Sequence, residues 1–204
     1  MTHYKLIYFN AKGRAELIRL IFAYADVNYD DVRIPRDQWT DMKPKMPFGQ
    51  LPILEIDGKQ LPQTMAIARY LAREFKLAGK DELESAFADA YIDVVNDITY
   101  ALVPMFREEN DEKKREIGAA VFNKTIVPYL EKVEKHLKES GTGYIVGDSI
   151  TWADLAYFQL LDLLWQRFGR AHLDSFPNLM KLHETVINIP NIKKWIDTRP
   201  ETAV

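Results

Sequence analysis

From Tyr4 to Phe9 the run YKLIYF is aromatic and β-branched, which predicts a strand that stops at Asn10. After the turn Ala11-Lys12-Gly13 the period lengthens. Leu17, Ile18, Ile21 and Phe22 recur at helical spacing between Arg14 and about Tyr24. YDDVRI at 29–34 predicts a second strand, and the segment from Pro47 leads through LPILEI into a third that ends near Ile56. Asp57-Gly58 is a short hairpin turn into a fourth strand over about 59–61. Met65, Ile67, Ala68, Leu71 and Phe75 then mark a helix from Thr64 to Phe75, closed by Gly79. The order β-α-β, hairpin, α describes a compact α/β layer fold.

Beyond Gly79 the strand signals cease. Helical periodicity covers 83–108, 111–139 and 151–168, with shorter helices after Phe176 and Pro190, so the second half is an all-α bundle. Pro104 and Pro128 fall inside these patterns and predict kinks or breaks near Leu102 and Ile126. The expected domains are therefore 1–79 and 82–204.

Composition narrows the chemistry. Of 204 residues, 47% are hydrophobic, which suffices for a real core, and the formal net charge of −3 argues against nucleic acid as a partner. No apolar run reaches the ~18 residues of a membrane span, and the first residues lack signal-peptide order, so a soluble, cytoplasmic protein without membrane contact is expected. There is no cysteine, which removes disulfides, thiolate metal sites and Cys nucleophiles. Four scattered histidines offer no paired ligand spacing, so no metal is expected.

Five groups of residues could carry chemistry. Pro52 in Leu51-Pro52-Ile53 is either an ordinary strand-start proline or a cis turn that presents the Leu51 backbone to an extended peptide. Gln63 and Thr64 precede a helix, where the Thr64 hydroxyl is a plain N-cap or joins the first-turn amides in holding a carboxylate. Tyr8, at a strand end with Arg14 at the next helix start, is a packing residue or a donor to a thiolate or oxyanion. Thr151-Trp152-Ala153-Asp154 reads as a capping box. Asp89, Asp93 and Asp97 share one helix face that meets solvent, a cation or a partner subunit.

Taken in order, YKLIYFNAKGRAE, MPFGQLPILEIDGK, QTMAIARYLAREFKLAGK, VGDSITWADL and IKKWIDTRPET resemble a cytosolic glutathione transferase over residues 4–204, and YFNxxGRAE with QxMAIARYLA resembles the sigma class. The resemblance implies a thioredoxin-like N-terminal domain that binds glutathione, an all-helical domain for the electrophile, and a homodimer. It implies that Tyr8 donates to the glutathione thiolate beside Arg14. Trp39 and Lys43 would hold the glycine end, Leu51 before a cis Pro52 would pair with the cysteinyl residue, and Gln63 and Thr64 would take the γ-glutamyl end. Gln50 lies in the same binding loop, and Asp97 would reach the partner's glutathione. Phe9, Ala11, Thr99, Met105, Ala156 and Leu160 would line an apolar cleft between the domains for small hydrophobic electrophiles. Glutathione is then a co-substrate, and no metal is required.

This chain departs from the family pattern at Thr64, where serine is usual. It lacks the tryptophan that the prostaglandin-forming branch carries near 103–106, has Ala156 after Trp152-Ala153-Asp154, and has Asn96 between Asp93 and Asp97. Conjugation of soft electrophiles, with peroxidase or isomerase activity also open, is the expected function. The alternatives are a prostaglandin D synthase-type isomerase and a non-catalytic crystallin or ligand-binding relative.

Overall fold

A computed structural model describes residues 2–202. It divides into two compact units, one formed by residues up to Ala78 with those from Val186 onward, the other by Gly79–Thr185. The chain after Val186 thus belongs with the first half, whereas 82–204 was expected to be one domain. The reason is a set of long-range polar contacts, described below, that tie Trp195 and Arg199 to Glu16.

The first unit is built on a four-stranded sheet in the order β2-β1-β3-β4, with β1 at Tyr4–Phe9, β2 at Asp30–Ile34, β3 at Ile53–Ile56 and β4 at Lys59–Pro62. β1 runs parallel to β2 and antiparallel to β3, and β3 is antiparallel to β4. Asp57 (φ 48°) and Gly58 (φ 82°) both adopt left-handed backbone, as a two-residue type I′ hairpin turn demands. This is the thioredoxin-like α/β arrangement, and the second unit is the helical one.

Side chains alternate across the sheet. Tyr4, Leu6 and Tyr8 face one side, where α1 (Glu16–Ala25) and α3 (Thr64–Glu74) pack. There Tyr4 meets Phe22 at 5.3 Å and Phe75 at 6.1 Å between ring centroids. On the other side Ile7, Ile34 and Ile53 form a small core with Met42, Met46 and Leu51. A short helix α2 (Trp39–Met42), flanked by single 3-10 turns at Arg36–Gln38 and Lys43–Lys45, supplies Met42. Its brevity hid it from a reading based on periodicity.

In the second unit α4 (Glu82–Arg107) buries a single stripe, Ala88, Ile92, Val95, Ile98, Leu102 and Met105, at i+3 and i+4 steps. Its N-cap Asp81 accepts from the amides of Leu83 and Glu84. The break expected near Leu102 is absent. Pro104 lies in the last turn, so its missing N–H removes one hydrogen bond where the helix is about to end at Arg107. The second expectation holds in altered form. α5 (Asp111–Val121) and α6 (Val127–Ser140) are joined by a π turn at Phe122–Ile126. Pro128 lacks the N–H that would bond the carbonyl four residues back, and the preceding turn widens.

α7 (Trp152–Phe168) is buried almost all round and forms the centre of this unit. The expected capping box is present, and it reaches further than its own helix. Asp154 Oδ2 accepts from the Thr151 amide at 2.7 Å and hydroxyl at 3.0 Å, while Oδ1 accepts from the Ile145 amide at 2.8 Å. Burial pushes the Asp154 carboxyl up to about 6, against the pull of those hydrogen bonds. α8 (Pro177–Ile187) starts on the Glu134 carboxylate, which accepts from the amides of Asn178 and Leu179. α9 (Pro190–Thr198) packs on α1 in the first unit. Among the described residues no helix is long and apolar enough to cross a membrane.

Candidate active site

The sheet register brings the N-terminal candidates to one edge. Ile7 pairs with Ile53, and Ile53 with Pro62. One step beyond that row lie Tyr8 on β1, Pro52 before β3 and Gln63 after β4. With strands about 4.8 Å apart, Tyr8 and Gln63 are separated by about 10 Å, the length of three extended residues.

Tyr8 is 8% exposed, and its hydroxyl oxygen accepts from the backbone amide of Arg14 at 3.1 Å. With that lone pair engaged by an N–H, the phenolic proton remains available for donation elsewhere. Gly13 (φ 41°) passes so close to the phenol that a Cβ there would lie 2.6 Å from Tyr8 Oη. Only glycine permits both this conformation and this approach. Phe9, on the opposite face of β1, meets the Trp39 ring edge-on at 5.3 Å, with the Arg36 guanidinium 5.4 Å from its centroid. Ala11 is half-buried, and its amide donates to the Phe9 carbonyl at 2.8 Å. Arg14 is exposed at the end of this loop.

The Leu51-Pro52 peptide is cis. The β1–β3 ladder ends at Ile7 and Ile53, so the Leu51 backbone lies beyond it, while its side chain packs on the Ile7 core. Gln50 is exposed just before it, and exposed Lys43 runs its stem past Gly49, where a Cβ would lie 3.6 Å from Lys43 Cε.

The start of α3 differs from the simple reading. Gln63, not Thr64, occupies the N-cap, in left-handed backbone (φ 76°, ψ 117°), and no side chain caps the helix. Thr64 is the first helical residue. The Ile67 amide is the first to return to Gln63, which leaves the amides of the opening turn outside the ladder, and that turn holds no acidic residue. An N-terminus with uncapped amides, a hydroxyl and no carboxylate of its own is suited to an anion.

The remaining candidates lie in the second unit. Asp97 is exposed on α4 and accepts from the Tyr129 hydroxyl at 3.1 Å, a partner that periodicity did not reveal. The Thr99 hydroxyl donates back to the Val95 carbonyl at 2.8 Å. Met105, Ala156 and Leu160 are buried within their unit. No group of three or more His, Cys, Asp or Glu able to hold a metal occurs among the described residues.

Sequence reasoning missed Gly13, Glu16 and Arg19. The available signal was two charges, Glu16 just before and Arg19 within the apolar stretch Leu17–Phe22 of α1.

Comparison with known proteins gives two family matches. Residues 4–73 match the glutathione S-transferase N-terminal domain, and residues 96–199 match the glutathione S-transferase C-terminal domain. Glutathione S-transferase 1 of Ascaris suum is 44% identical over 99% of both chains. Hematopoietic prostaglandin D synthase of Homo sapiens is 39% identical over the whole of both. Among solved structures, a Nu-class transferase from Haemonchus contortus has 40% identity and a TM-score of 0.86 over 99% of each chain. A transferase from Necator americanus, described as monomeric, has 41% identity and a TM-score of 0.88 over 99% of this chain and 100% of that one.

Proposed function

The chain belongs to the glutathione S-transferase family, and from that premise we propose that it binds glutathione along the sheet edge of its first unit and adds the sulfur to soft, hydrophobic electrophiles. The observation that carries this reading is the Tyr8 hydroxyl. Its oxygen is engaged by the Arg14 amide, its proton is free to donate, and it stands in one row with Leu51-Pro52 and Gln63-Thr64.

Glutathione is an extended tripeptide with two carboxylates, one α-ammonium and a thiol. The uncapped start of α3 with Gln63 and Thr64 suits the γ-glutamyl carboxylate, and Lys43 with Trp39 suits the glycine carboxylate. Leu51, beyond the ladder and next to Gln50, suits antiparallel pairing with the cysteinyl backbone. A free thiol has a pKa near 8.5, and lowering it by about one to two units takes about 1.4 to 2.7 kcal/mol, the worth of one hydrogen bond from Tyr8 to a charged acceptor. Arg14 adds positive potential beside it.

We take the protein to be a homodimer of sigma type, in which Asp97 serves the partner's glutathione ammonium. Exposed Phe48, Leu83 and Phe87 supply apolar surface for such an interface. The class rests on the YFNxxGRAE segment, to be weighed against the Nu-class neighbour, and the dimer against the monomeric one. A cytoplasmic role in detoxification completes the reading. The 39% identity to a prostaglandin D synthase favours testing a second activity, isomerisation of a prostaglandin endoperoxide, in the same site.

The experiment is Tyr8→Phe. Glutathione affinity by calorimetry should stay within about threefold, while turnover with chlorodinitrobenzene falls about 10- to 1,000-fold, as for loss of one oxyanion-type donor. Undiminished turnover would remove Tyr8 from the mechanism.

A further inference from the structure

Glu16 and Arg19 are 2% and 0% exposed in α1. Leucine would serve a helix–sheet layer better than two buried charges, unless their hydrogen bonds accomplish something apolar residues cannot. Glu16 Oε1 accepts from Trp195 Nε1 at 2.9 Å and from Arg199 Nη1 at 2.8 Å, and its Oε2 accepts from Arg19 Nη1 at 3.2 Å. The same Arg19 nitrogen donates to the carbonyl oxygens of Ala11 at 2.8 Å and Lys12 at 3.4 Å. Arg19 Nε donates to Asp31 Oδ1 at 3.2 Å, and Asp31 Oδ2 is held by Arg33 Nε at 2.9 Å. The guanidinium carbon lies 5.9 Å from the Tyr8 ring centroid, and Arg19 Nη2 has no hydrogen-bond acceptor.

Through Arg19 the contacts from Glu16, Trp195 and Arg199 reach the turn that fixes the Tyr8 hydroxyl, while the branch through Asp31 and Arg33 braces Arg19 against β2. Two successive carbonyls, of Ala11 and Lys12, are drawn to Arg19. The backbone that follows presents Gly13 to the phenol and the Arg14 amide to its oxygen. We propose that Trp195 and Arg199 are positioning residues for Tyr8, acting through Glu16 and Arg19 on the Ala11–Arg14 turn. The inference deepens the glutathione reading and rests on it.

The test uses the full chain carrying Trp195→Phe, which keeps an aromatic ring but loses the N–H, and separately Arg199→Met and Arg199→Lys. With chlorodinitrobenzene, Trp195→Phe and Arg199→Met should each lower kcat about tenfold, as expected for a small misplacement of a reacting group, with KM for glutathione within about twofold. Arg199→Lys should recover most of the Arg199→Met loss. In the Tyr8→Phe background Trp195→Phe should cost less than about twofold. Amide exchange at Gly13, Arg14 and Ala15, measured without ligand, should quicken in both variants. Unchanged kcat and unchanged exchange would overturn the proposal, and so would an equal loss with and without the Tyr8 hydroxyl, since that marks general destabilisation. If the unsubstituted protein bound no glutathione, the proposed function would fall, and the exchange measurement alone would still decide whether Trp195 and Arg199 hold the turn.

Discussion

Gly13→Ala isolates the geometry of the Tyr8 hydroxyl from its chemistry. The added methyl meets two obstacles, a backbone at φ 41° and a phenol oxygen only 2.6 Å away, where ordinary contact begins at 3.4 Å. The first costs about 1 kcal/mol. The second is relieved by moving the phenol about 0.8 Å, which lengthens the 3.1 Å hydrogen bond from the Arg14 amide beyond useful range. A misplacement of about 1 Å at a reacting group costs on the order of 100-fold. The expected result is therefore a fall of about 100-fold in kcat/KM for conjugation of chlorodinitrobenzene, with glutathione affinity within about threefold. The thermal midpoint should drop only about 2 to 6 °C for 1 to 1.5 kcal/mol in a chain of this size. The same substitution in the Tyr8→Phe background supplies the control. Without the oxygen the nearest atoms are ring carbons at 3.1 and 3.3 Å, which need yield only a few tenths of an ångström. There the further loss should be under about threefold. A 100-fold loss in both backgrounds would show that Gly13 does not act through the hydroxyl, and no loss in either would show that the close approach is irrelevant to turnover.

The remaining predictions concern binding and stability. Thr64→Val, which keeps the shape but removes the hydroxyl, should weaken glutathione binding about 10-fold by calorimetry, the worth of one hydrogen bond to a carboxylate, with kcat at saturation unchanged; unaltered affinity would return Thr64 to a structural role. Asp154→Ala strands three buried donors and should cost about 3 kcal/mol in urea unfolding, against about 1 kcal/mol for Thr151→Ala, and similar small losses in both would defeat the account of that network. Asp154 also carries a pH signature: with its folded carboxyl raised to about 6 from 3.8, the folded state keeps a proton that the unfolded chain has already released between those values. Its contribution to stability is thus largest below about pH 4, declines as pH rises to about 6 and is flat above, so the stability of the native protein relative to Asp154→Asn should fall by up to about 3 kcal/mol over that interval. A rise instead would mean that the three hydrogen bonds outweigh burial.

What the sequence disclosed and what it hid differ by range. The hairpin at Asp57-Gly58, the amphipathic stripe of α4 and the Thr151 to Asp154 box depend on residues within a turn or two of one another, where backbone preference and periodicity act. The π turn at Phe122–Ile126 is a local response to Pro128, and its site was legible though its form was not. α2 has four residues, too few for a period to show. The contacts of Glu16 with Trp195 and Arg199 span 179 and 183 positions, and no local pattern specifies such a pairing. The candidate site divides in the same way. Tyr8, Pro52 and Thr64 each had an ambiguous local signal, and the sheet register alone brings them to one edge. Gln63 at the N-cap, in backbone that residues with a side chain rarely adopt, was not foreseeable from a preference for hydroxyl caps.

The absence of cysteine gives this long-range network its meaning. The chain contains no thiol, so in the proposed reaction the sulfur enters entirely with the ligand. A protein thiolate is tuned by charges placed around a covalently fixed atom. A borrowed thiolate has no fixed position until donors define one. The accuracy of the site must then reside in the donor, and Tyr8 is held from two sides, by an amide on its oxygen and by a glycine against its ring edge. In both the partner of the phenol is backbone, which no partner rotamer can adjust. Both depend on the path of the Ala11–Arg14 backbone, a short irregular turn that leads into a single 3-10 turn at Gly13–Ala15. Two buried charges and an anchoring segment from the far end of the sequence are a reasonable provision for holding such a turn rigid. If so, substitutions at Glu16 or Arg19 should affect turnover well beyond their effect on glutathione affinity, although neither side chain would touch the substrate.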